Sequence, residues 1–143
     1  MKRVIILLSA LSFTSAAYAG LAEKKAMREF AKDTIQEIAE TTKACGSKIA
    51  VNWNFKSLSK SDFKDYSLKG MASDVLYGVR SVCADPDGKD AVKKQVKKIL
   101  LTKRTKGDNK PTFNLKSGTL KVMMKFAPSN TIKETKKFLE DNL

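Results

Sequence analysis

Between residues 21 and 44 apolar side chains recur at Met27, Phe30, Ala31, Ile35, Ile38 and Ala39, with charged residues mostly between them. That spacing predicts an amphipathic helix closed by Gly46, with Cys45 at its end. The period then changes. Ile49, Val51, Trp53 and Phe55 alternate with Lys48, Ala50, Asn52, Asn54 and Lys56, the pattern of a half-buried strand. After a polar connection, Ser61 is expected to cap a short turn over Asp62 to Tyr66. Helical spacing returns at Leu68, Ala72, Val75, Leu76, Val79 and Val82, and Cys83 falls on the same stripe.

Ala84-Asp85-Pro86-Asp87-Gly88 reads as a turn, with Asp87 as the expected cap of a helix through Ala91, Val92 and Val96. Residues 99 to 106 read as a strand, and Gly107 to Lys110 as the turn after it. Phe113 and Leu115 precede Ser117-Gly118, and Leu120, Val122, Met124 and Phe126 follow. A two-residue hairpin loop at Ser117-Gly118 would pair Leu115 with Leu120 and Phe113 with Val122, placing the apolar set on one face. Pro128 ends this strand. Asn130 or Thr131 then opens a last helix, with Ile132, Leu139 and Leu143 expected on its inner side. The pattern predicts an α+β fold: about four mainly antiparallel strands packed with three to four helices in one small domain.

The start of the chain adds an address. Lys2 and Arg3 precede the apolar run Val4 to Leu11, and Ala17-Tyr18-Ala19 follows with small residues at the right spacing. Residues 1–19 thus read as a cleavable signal peptide of bacterial type, leaving residues 20–143 as a periplasmic or secreted domain. In an oxidising compartment Cys45 and Cys83 are expected to form one structural disulfide joining two helix ends. A redox pair or soft-metal site is the competing reading, but there is no C-x-x-C spacing and no histidine.

The missing histidine also removes the imidazole base and the Ser-His and Cys-His nucleophile pairs. Ser57-Leu58-Ser59-Lys60 carries an S-x-x-K spacing without the companion motifs such enzymes need. Glu29, Asp33, Glu37 and Glu40 are interleaved with lysine and arginine, as solvated charge pairs are. Asp85, Asp87 and Asp90 lack the bidentate glutamate of a calcium loop. No cofactor fingerprint is present, so no cofactor or metal is expected, and catalysis by a histidine-free enzyme is the minor alternative.

Charge points elsewhere. The formal net charge is +13, and +11 once Lys2 and Arg3 are removed. Residues 89–110 hold nine Lys or Arg against Asp90 and Asp108. Alternation along the strands also places Lys48, Lys56, Lys116, Lys121 and Lys125 away from the core, on a basic sheet face. These five are the candidate anion-binding residues. Their partner would be an anionic envelope polymer, a lipid head group or an acidic protein. Only Arg28, Arg80 and Arg104 are arginine after residue 19, and the aromatics fall at inward positions. Both facts argue against sequence-specific nucleic-acid binding, and the lysine excess is equally the pattern of a basic surface that serves only for solvation. The expectation is an exported, non-enzymatic binding protein. A specific interaction, inhibitor or immunity module is the alternative, with Met123 or Ser57 to Tyr66 as its contacts.

Overall fold

The computed structural model describes residues 12–65 and 67–143. The apolar run of the expected signal peptide and Tyr66 lie outside them. Among the described residues there are five α-helices: α1 (Ser12–Cys45), the single turn α2 (Asp62–Asp65), α3 (Leu68–Val82), α4 (Pro86–Gln95) and α5 (Thr131–Asn142). The strands are β1 (Ala50–Trp53), β2 (Lys98–Lys103), β3 (Thr112–Lys116) and β4 (Thr119–Met124).

The fold is α+β, but the sheet is mixed. Its order is β1-β2-β4-β3, with β1 and β4 both parallel to β2 and only β3 and β4 antiparallel. The expectation of mainly antiparallel strands is therefore corrected, and the loop after β2 supplies the reason. A tight turn there would have laid β3 against β2. Instead a wide loop, residues 104–111, carries the chain past one strand position. Arg104 braces it from inside, donating to the carbonyls of Asp108 and Lys110 and to the Asp108 carboxylate. β4 then returns through the hairpin into the gap.

The hairpin has the expected register, Leu115 opposite Leu120 and Phe113 opposite Val122. Ser117 and Gly118 have φ of 50° and 76°, the pair of positive values that lets a two-residue turn follow the strand twist. β1 is shorter than expected. Ser57 donates to the Asn54 carbonyl and accepts from the Lys103 amide, so Phe55 leaves the strand in a short 3-10 turn, although its ring stays buried.

Alternate residues in the strands enter the core: Val51 and Trp53, Ile99 and Leu101, Leu120, Val122 and Met124 are all buried. The helix layer covers this face, with α3 packed against both α1 and α5. On α1 the buried line runs through Phe30, Thr34, Thr41 and Cys45, whereas Met27, Ala31, Ile35 and Ala39 are exposed. The threonines can turn inward because their hydroxyls donate to the Phe30 and Glu37 carbonyls one turn back. Arg80 ties α3 to α1 by donating to Glu40 at 2.6 Å and Glu37 at 3.0 Å. At the helix ends, Cys45 and Cys83 form the expected disulfide, with 5.1 Å between their Cα atoms.

On α5 the inner line is Thr131, Thr135 and Leu139, so Ile132, expected inside, is exposed. The cause is the approach of α3. A methyl group at Gly78 would lie 2.6 Å from the Thr135 Cβ and 2.8 Å from the Ile132 carbonyl oxygen. No side-chain rotation relieves a clash with backbone. Gly78→Ala is therefore expected to cost about 2 kcal/mol by forcing the helices apart. Urea unfolding checks this, and a loss below half that size would mean the two helices slide without cost. Asp85, not Asp87, caps α4 by accepting from the Gly88 amide, with Pro86 following it as the first helical residue.

Candidate functional site

A helix layer on one side leaves the other side of the sheet bare. Parallel strands usually lie between two covering layers, because each crossover brings a helix back onto the sheet. Here α2, α3 and α4 fill the β1-to-β2 crossover, while β3 alone fills that from β2 to β4. No second layer forms among the described residues.

The register arranges the outward side chains of this face in three rows. Ala50, Lys98, Thr119 and Lys116 lie abreast. Asn52, Leu100, Lys121 and Asn114 form the next row, followed by Thr102, Met123 and Thr112. Lys98 and Lys116 flank Thr119 from either side, about 10 Å apart across two strand intervals. Lys121 stands one row on along the same strand as Thr119. All three lysines are exposed, and none forms an ion pair with a described residue. No strand among the described residues contains an aspartate or glutamate. Three ammonium groups surrounding a hydroxyl, with no local countercharge, make a region of positive potential that an anionic group neutralises.

Of the five lysines expected on this face, the strands carry Lys116 and Lys121. Lys48 precedes β1, Lys56 belongs to the 3-10 turn and Lys125 follows β4. Lys98 joins Lys116 and Lys121, because the strand expected over residues 99–106 begins one residue earlier. Its signal was present: Lys98, Leu100 and Thr102 alternate with the buried Ile99 and Leu101. Met123, 40% exposed, stands beside this group in the outermost row.

Other candidate sites carry different duties. Ser57 of the S-x-x-K segment spends its hydroxyl on two backbone groups. Glu37 and Glu40 both hold Arg80. A groove of about 660 Å3 between the end of α3, the start of α4 and the end of α5 is rimmed by Asp85, Asp87 and Glu140. Of these, Asp85 caps α4 and Glu140 faces Lys136 at 3.5 Å. Asp62 is nearly inaccessible and binds the Lys103 ammonium at 2.8 Å. Burial raises its pKa, but the Lys103 and Ser59 contacts outweigh that and hold it below the ordinary value of 3.8.

Compared with protein-family models, characterised proteins and solved structures, the chain finds no match. Among the described residues no helix is long and apolar enough to cross a membrane.

Proposed function

We propose that this is an exported, non-enzymatic binding protein that docks an acidic partner on its bare sheet face. The observation that carries this reading is the trio Lys98, Lys116 and Lys121, exposed and without an ion pair among the described residues, on a face whose described strands contain no acid. Surface lysines that serve only for solubility are normally interspersed with acids. Here the neighbouring positions offer threonine and asparagine, which hydrogen-bond to an anion without repelling it. Export rests on Lys2 and Arg3, the apolar run after them and Ala17-Tyr18-Ala19. The Cys45–Cys83 bridge suits an oxidising compartment.

The test is binding of fluorescent polyglutamate to the purified, oxidised protein across a salt series. Affinity is expected to fall steadily with salt, as screening of exposed charges requires. Replacing Lys98 and Lys121 together by glutamate should weaken binding about tenfold at low salt, since two attractions become repulsions. Reversal of Lys24 and Lys32 on α1 is the control for net charge. If the control weakens binding equally, the protein responds to total charge and the sheet face has no special part.

A further inference from the structure

The bare face is not uniform along its strands. At the hairpin end it presents Lys98 and Lys116, with Lys121 one row on. Leu100 lies directly opposite Lys121 in that middle row, and Met123 is its diagonal neighbour on β4, in the row farthest from the hairpin. Leu100 is half-buried and Met123 is exposed. Asn52 lies opposite Leu100 and Thr102 opposite Met123, and no aromatic ring points outward from any described strand. A purely charged polymer would satisfy the lysines but gain nothing at Leu100 and Met123. A nucleic acid strand would find no ring to stack on. An amphipathic helix supplies both contacts at once, and a helix is what usually covers the second face of a parallel ladder.

We infer that the partner is an acidic amphipathic helix of another protein, lying along β2 and β4. Its carboxylates meet Lys98, Lys116 and Lys121, and its apolar stripe covers Leu100 and Met123. The helix completes the missing layer, giving three layers where the free protein has two. This inference rests on the anion-docking reading of the same face, and adds the apolar contact and the helical form of the partner.

The probe is a peptide of about 18 residues, five helical turns, with leucine on one stripe and glutamate elsewhere. It is compared with polyglutamate of equal net charge, and with vesicles of zwitterionic lipid doped with anionic lipid. The helical peptide is expected to bind about tenfold more tightly than polyglutamate at the same salt, since each newly buried methylene adds to affinity. Leu100→Thr and Met123→Thr, made separately on the solvent side of the sheet, should each narrow that preference. Neither should change polyglutamate binding, and circular dichroism should show both variants folded. The Lys98→Glu, Lys121→Glu double variant should weaken both ligands. Equal binding of peptide and polyglutamate, or a preference untouched by both threonine variants, overturns the helix and leaves the anionic face standing. Tighter binding to vesicles than to peptide overturns it in favour of a membrane surface. Insensitivity of all three ligands to the lysine reversals overturns the docking face itself.

Discussion

Replacing both Cys45 and Cys83 by alanine is expected to lower the stability of the fold by about 4 kcal/mol. The bridge closes a loop of 38 residues, and the unfolded chain regains that freedom when the bond is removed. That loop contains β1, the 3-10 turn, α2 and the whole of α3. It therefore links α1 to the central helix, which packs against both α1 and α5. With a urea dependence of about 2 kcal/mol per molar, the midpoint should fall by about 2 M. Oxidised wild type, reduced wild type and the double-alanine variant should be compared under the same conditions. Reduced protein should behave like the variant, apart from the small difference in side-chain volume. A midpoint shift under 0.5 M, about 1 kcal/mol on the same scale, would show that the unfolded chain is already restricted without the bridge. The consequence for function is direct. If the docking face works outside the cell, the closed bridge keeps the sheet folded there, and reduction should weaken partner binding by destabilising the face.

Parts of this architecture were legible because neighbouring residues alone determine them. Ser117-Gly118 between two alternating segments fixes a hairpin and its register, and both expected pairs are present. Leu68 to Val82 keeps one buried stripe, and the cysteines lie where two helices end. The parallel ladders were not legible, because β2 meets both of its neighbours only through long connections. Nothing in residues 104–111 announces a wide loop until Arg104 is seen bonded across it. The inner face of α1 was hidden for a different reason. Thr34 and Thr41 look polar in sequence, but each satisfies its hydroxyl on its own helix and packs inward with its methyl group. Of the candidate face, Lys116 and Lys121 followed from alternation in the hairpin. Lys98 did not, because the strand is expected from residue 99 and begins one residue earlier, and Leu100 breaks the polar side of β2 with an apolar residue. In the fold that same residue supplies the apolar contact beside Lys121.

Lys103→Met is expected to destabilise the protein by about 3 kcal/mol at neutral pH, the second large effect. Lys103 lies at the end of β2, its ammonium 2.9 and 2.8 Å from the two oxygens of Asp62 and 4.9 Å from the centre of the Phe126 ring. Asp62 also accepts from the Ser59 amide at 2.7 Å. Removing the lysine leaves a carboxylate that is only 3% exposed, held by the neutral donors of Ser59 alone. The dependence on pH should then reverse. In the wild type the folded pKa of Asp62 lies below its ordinary value of 3.8. The pair's contribution is complete above that value and is lost as pH falls through the folded pKa. In the variant, burial dominates and raises the folded pKa above the unfolded one. Acidification from neutral pH should therefore recover stability for Lys103→Met, down to the unfolded pKa, while the wild type gains nothing from this group. Urea unfolding at neutral pH and near pH 4 separates the two slopes. Asp62→Asn in the Lys103→Met background should return part of the loss at neutral pH, because it removes the stranded charge. If that double variant is no more stable than Lys103→Met alone, the cost lies in the packing of the Lys103 stem against Phe126, and the ion pair is not what joins β2 to the start of α2.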